Sequence, residues 1–386
     1  MKAHNVQPKT NIPRQCGLSL VELMISLTIG LLLLAGLSLL FVESSRSHRE
    51  LSEASKQIEN GRYAIQLLGD DLHLAGFYGR FTNLPATPAA VPDPCEVTSV
   101  TTLYDALPIH IQGYSAGSFT TRPVVSALCA AYLPAANLQP GSDVFVIRRA
   151  DTSALASTVM PTNNEVYIQG NVLAAEIQKG VNGFAIGTDK KADGCQADGT
   201  GGCGSGKTIL KKDGTAAEIR KYHVHVYFVA PCSMPAGGGN DCTGAADDGG
   251  KPIPTLKRLD ITSVAGATAM SMVSLVDGIE MLKVDYGIDK ISTPDDGTTV
   301  DGSPNNYVRP PRTLPMTADM TPADWANIMG VNIYILSRNP LVTASYTDTK
   351  TYAMGLAGNY APGGNFKRHV YSTLVRLTNP AMRREQ

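Results

Sequence analysis

An α+β fold, with one long N-terminal helix laid on antiparallel β structure, is predicted by three features of this 386-residue sequence. An unbroken apolar run starts at Leu18. Helical periodicity carries on beyond that run, with no proline from Leu18 to Phe77. After Phe77, short segments rich in Val, Ile, Tyr and Phe are separated by Gly- and Pro-rich loops, without clear amphipathic helices between them. An antiparallel sheet is the default for such a pattern.

The leader, residues 1–17, carries Lys2, Lys9 and Arg14 and no acidic residue. Residues 18–42 are apolar or small except for Glu22, and residues 23–42 are uncharged and long enough to cross a bilayer as a helix. A carboxylate in such a run is costly, so a function is to be sought for it. A secretory signal has a shorter apolar core ending in a small-residue cleavage site, which is missing here. A plain uncut anchor explains the hydrophobicity but leaves Glu22 without a role. Lipid attachment at Cys16 is excluded, because Arg14 and Gln15 stand where that signal needs small or apolar residues.

Past Val42, the residues Leu51, Ala54, Ile58, Ile65, Leu68, Leu72 and Ala75 recur at spacings of three, four or seven and mark an apolar stripe. A helix over residues 18–75 would be roughly 87 Å long at about 1.5 Å per residue. The outer half of the stripe is expected to pack on the chain's own sheet, and Gly76 is a natural terminator. Strands are predicted at residues 143–149, 165–169, 222–230, 256–261, 278–286, 331–337 and 369–377. The long loops, 81–94, 187–206, 237–250 and 292–322, are candidate partner surface or variable decoration. A net charge of −1 gives no electrostatic argument for nucleic acid.

The sequence Gly17-Leu-Ser-Leu-Val-Glu22 with its apolar run resembles the signal of type IV prepilins and type II secretion pseudopilins. It departs at Leu18, where phenylalanine is usual, and in lacking a proline inside the helix. The resemblance implies peptidase cleavage after Gly17, N-methylation of Leu18, and pairing of Glu22 with a neighbouring subunit's terminal amine to set the register. Two opposite charges in an apolar medium offset each other only if they meet. Residues 59–79, with Gly61-Arg-Tyr-Ala and Ala75-Gly-Phe, resemble PilW-type minor pilins, as do residues 141–149, 276–289 and 367–377.

That resemblance implies a leader (1–17), a transmembrane and filament-core half-helix (18–42), an amphipathic half-helix (43–76) and a periplasmic β-rich domain (77–386). It further implies a minor pilin that helps initiate type IV pilus assembly in a tip complex supporting twitching and adhesion. The partners implied are prepilin peptidase, other minor pilins, the major pilin, a tip adhesin and the inner membrane, with no direct nucleic-acid contact. The chain would pass from the inner membrane to the periplasm and pilus. A type II secretion pseudopilin and an uncleaved, membrane-anchored periplasmic enzyme or binding protein are the alternatives. No catalytic residue, cofactor or metal site is expected.

Removing the leader deletes Cys16 and leaves six cysteines, which in an exported domain favours disulfides. Neighbour pairing would join Cys95 to Cys129, Cys195 to Cys203 and Cys232 to Cys242, one of fifteen connectivities. Several motifs invite a chemical reading. Gly201-Gly-Cys-Gly-Ser-Gly-Lys-Thr208 satisfies a phosphate-loop pattern but lacks the strand before and the helix after. Asp189, Asp193 and Gly194 open like a calcium loop, yet Lys191 and Thr200 stand where oxygen ligands are needed. Asp295, Asp296 and Asp301, or Asp247 and Asp248, are looser calcium candidates. His223 and His225 share a strand face with no identifiable third ligand. Trp325, the single tryptophan, is expected to anchor packing.

Overall fold

The computed structural model describes residues 17, 19–156, 161, 163–180, 209, 211–289, 302–310 and 320–384. The chain divides into two compact units, Met1–Ser52 and Glu53–Gln386. Helix α1 (Leu20–His73) begins in the first and ends in the second.

In the second unit, the buried positions of α1 are Gln57, Gly61, Ala64, Leu68, Asp71 and Leu72, a helical three-and-four spacing. This line differs from the predicted stripe. Ile65 is half-buried and Leu68, Leu72 and Ala75 are buried, but Ile58 and, in the first unit, Leu51 are exposed. The buried face passes instead through small and polar residues, because the helix approaches strands closely there. The Gln57 side-chain amide donates to the Ser337 and Lys367 carbonyls, at 2.9 and 3.1 Å. The helix ends at His73, and Gly76 follows in the left-handed region (φ 71°), donating its N–H to the Arg148 carbonyl. The carbonyls freed at this terminus find partners in a C-terminal helix, Thr378–Arg384. Thr378 and Asn379 donate to the His73 carbonyl, and Arg383 donates to that of Gly76.

Seven strands form the larger sheet: β1 (Ile111–Tyr114), β2 (Val144–Ala150), β3 (Val166–Gly170), β4 (Ala175–Lys179), β5 (Ile219–Ala230), β6 (Thr255–Val264) and β7 (Ala267–Asp277). The order runs β1-β2-β5-β3-β4, with β6 on β5 and β7 on β6. Strand β5 is its axis: at twelve residues it is long enough to pair β2, β3 and β6 along its length. A second sheet holds β8 (Ile279–Ile288), β9 (Asn306–Val308) and β10 (Ile328–Arg338). After a small ribbon of β11 (Tyr352–Ala353) and β12 (Asn359–Tyr360), β13 (Arg368–Arg376) completes it in the order β13-β10-β8-β9. Every pairing among the described residues is antiparallel, so the class is α+β.

One apolar core joins Ala64, Leu68 and Leu72 of α1 to Val146 and Val226 of the larger sheet and Val331 and Val375 of the smaller. The sheets are also pinned by charge. The Asp143 carboxylate, just before β2, meets Lys283 of β8 at 3.1 Å and Arg309 at 2.7 Å. Trp325 is fully buried, its ring edge-on to Tyr286, a packing anchor as expected.

Candidate functional site

The first unit offers a helix with no apolar–polar division. From Leu20 to Val42 its large side chains are exposed on every side: Leu20 is 77% exposed, Leu32 74% and Phe41 74%. A helix apolar all round belongs in lipid or in a packed fibre, not in water. Among the described residues α1 is the one helix long and apolar enough to cross a membrane, with a window of mean hydropathy 2.5. Two of its hydroxyls are satisfied within the helix itself. Ser26 donates to the Leu23 carbonyl at 3.0 Å and Thr28 to that of Ile25 at 2.8 Å, which suits a medium without water. Glu22 sits in the first turn, where a carboxylate complements the helix dipole. Gly17 is exposed, and among the described residues nothing lies near the place a side chain would take. Leu18 lies outside the described residues.

The structure joins Cys95 to Cys129 and Cys232 to Cys242. Cys195 and Cys203 lie outside the described residues, as do the 201–208 motif, Asp189, Asp193, Gly194, Asp295, Asp296 and Asp301. The 232–242 loop is fixed on both sides. Asn137 accepts the Cys242 N–H and donates to Asp241. The calcium reading of Asp247 and Asp248 gives way to a different role, because their oxygens are occupied by amide donors. Asp247 takes the N–H groups of Ala236, Thr243 and Gly244 and the Thr243 hydroxyl. Asp248 takes those of Ser233, Met234 and Ile253. The Thr243 hydroxyl, with these amides, holds the Asp247 carboxyl down at about 2.

A third cluster gathers on the larger sheet. His223 and His225 point to one face of β5, their ring centroids 5.1 Å apart. Asp260 lies directly across from His225 on β6 and supplies the third group that was not identifiable in the sequence. Its carboxylate is 3.5 Å from His223 Nδ1 and 3.5 Å from His225 Nε2. Asp71, at the end of α1, takes His225 Nδ1–H at 2.7 Å, the Tyr227 hydroxyl at 2.7 Å and Arg149 Nε at 2.6 Å. Burial alone would raise the Asp71 carboxyl, but His225 and Arg149 outweigh it and hold it well below the carboxylate range. An open groove of about 340 Å³ runs beside this cluster, lined by Tyr63, Gln66, Asp71, Arg149, Tyr227 and Arg258. Sequence reasoning missed Asp71 and Asp260. The β5–β6 connection spans residues 231–254, so no local spacing could reveal which β6 residue faces His225.

Residues 243–379 match the family model for type IV pilus-assembly protein W, and residues 12–38 match that for the prokaryotic N-terminal methylation motif. The first match spans all of β6 to β13, the whole of the smaller sheet included, and contains two of the segments that resemble PilW, 276–289 and 367–377. Segments 59–79 and 141–149 lie outside it. No curated protein matches, and no solved structure matches. The two family matches make the chain similar to PilW-type, type IV pilus-related pilins, a structural kind of protein.

Proposed function

We propose that this chain is a minor pilin that helps to initiate type IV pilus assembly within a tip-located complex, supporting twitching and adhesion. A prepilin peptidase cuts after Gly17 and the new amine at Leu18 is methylated. The second unit then faces the periplasm while the apolar helix stays in the inner membrane. On assembly that helix leaves the lipid for a bundle of like helices from other minor pilins and the major pilin, with a tip adhesin as a further partner. Glu22 and the Leu18 amine of a neighbour find each other in the apolar core, where an unpaired charge of either sign is expensive. The pair therefore sets the register.

The observation that carries this reading is the helix apolar on every side, with a single carboxylate in its first turn, five residues after an exposed Gly17. Mass spectrometry of the mature N-terminus, with and without the prepilin peptidase, tests it. The expected chain begins at N-methylated Leu18 only when the peptidase is present. The Glu22→Ala variant is expected to be cleaved yet absent from sheared pili. A chain that still begins at Met1 overturns the reading.

A further inference from the structure

We propose that His223, His225 and Asp260 form a binding site for one divalent transition-metal ion of zinc-like chemistry, with a fourth position open to water. One ligand atom from each of the three residues lies within 4.8 Å of the others. The two histidine–carboxylate separations, each to a different oxygen of Asp260, are both 3.5 Å. That is too long for a charge-assisted hydrogen bond, which closes to about 2.7–2.9 Å. It is near the spacing of two ligand atoms around a tetrahedral ion, about 3.3 Å when each bond to the metal is about 2.0–2.1 Å.

A second observation points the same way. His225 is 2% exposed, and its Nε2 is buried with no hydrogen-bond partner among the described residues. The other ring nitrogen decides that Nε2 is the atom with the lone pair when the ring is neutral. Nδ1–H is committed to Asp71 at 2.7 Å, and Asp71 is itself held by Arg149 and Tyr227. A carboxylate behind a histidine, fixing its tautomer and making the far nitrogen a better donor, is the usual support of a metal ligand. Asp151 lies on the Nε2 side of His223, 3.9 Å away, which is beyond hydrogen-bond distance.

Charge and access also suit a cation. Asp71, Asp151 and Asp260 face Arg149 and Arg258, three carboxylates against two guanidiniums, so the two imidazoles sit in a field that favours added positive charge. His223 and Asp260 keep 12% and 16% of their side chains exposed, which gives an ion a way in. Once bound, the ion would staple β5 to β6 and, through His225 and Asp71, the end of α1 to both. This proposal stands apart from the pilus reading: it holds or fails on the second unit alone.

The test is calorimetric titration of the chelator-stripped, detergent-solubilised full chain with zinc chloride, with metal content measured after dialysis. One saturable ion per chain is expected, with affinity lost in His223→Ala and Asp260→Asn and weakened about 10- to 100-fold in Asp71→Asn. His223 is partly exposed, so its variant should keep the wild-type circular dichroism; should it not, Asp260→Asn gives the same reading. Cobalt(II) in place of zinc should show the visible bands of a tetrahedral site in the wild type alone. No saturable binding overturns the proposal. So does an ion held equally by wild type and His223→Ala, because it must then sit elsewhere.

Discussion

His110 is buried and rests between two carbonyls, with Nε2 2.7 Å from that of Ile328 and Nδ1 3.2 Å from that of Pro108. Burial disfavours its charged form, the Arg383 guanidinium adds to this, and the two carbonyls only partly oppose them, so its titration falls to about 3. In the unfolded chain the same imidazole titrates near its ordinary value of about 6.5. Between those values the unfolded state binds a proton that the native state refuses, so stability falls as pH drops. From pH 7 to pH 5 this single group should cost about 2 kcal/mol. Denaturant unfolding of wild type and His110→Asn at both pH values checks this. The wild type should lose about 2 kcal/mol more than the variant over that interval; equal losses would mean that His110 takes up its proton as readily in the native state as in the unfolded one.

At the scale of elements, α1 holds two glycines whose substitutions should act in opposite directions. A Cβ at Gly61 would overlap the Tyr371 ring on β13, whereas one at Gly69 would meet only Val375, at an ordinary 3.9 Å. Gly61→Val should therefore destabilise by about 1–3 kcal/mol, as overpacked sites do. Gly69→Ala should gain up to about 1 kcal/mol, because a helix interior prefers alanine to glycine by that amount. Thermal or denaturant unfolding of both variants reads the contrast, and the same sign at both sites would show that the approach of helix to strand does not govern them. The β6–β7 hairpin shows why one strand escaped prediction. Its turn residues, Ala265 and Gly266, both have positive φ (49° and 77°), a conformation usually announced by Asn-Gly or Asp-Gly. Alanine gives no such signal, and β7 itself mixes small residues, serines and methionines.

For the molecule as a whole, every buried side chain among the described residues lies at Gln57 or later in the chain. The second unit thus contains its own core, while the first exposes the surface that calls for lipid or other helices. A chain cut to residues 53–386 should remain soluble without detergent and melt cooperatively within a few degrees of the full-length protein. Circular dichroism and calorimetry of the fragment decide this. A fragment that fails to fold would mean that the first unit contributes to the stability of the second.

The sequence by itself determined what depends on local order: the apolar run, the place of Glu22, the turn at Gly76, and strands such as β2, β5 and β10 whose apolar and β-branched content marks them. Each is a property of neighbours along the chain, and periodicity or composition exposes it. Tertiary structure alone decided that the buried face of α1 runs through Gln57 and Gly61, since these are selected by the carbonyls and the ring they meet rather than by hydrophobicity. It also decided that Asp247 and Asp248 receive amides, and that Asp71 and Asp260 close around two histidines more than thirty residues away. Such groupings depend on strand register and helix placement. Long loops leave both unspecified until the chain has folded.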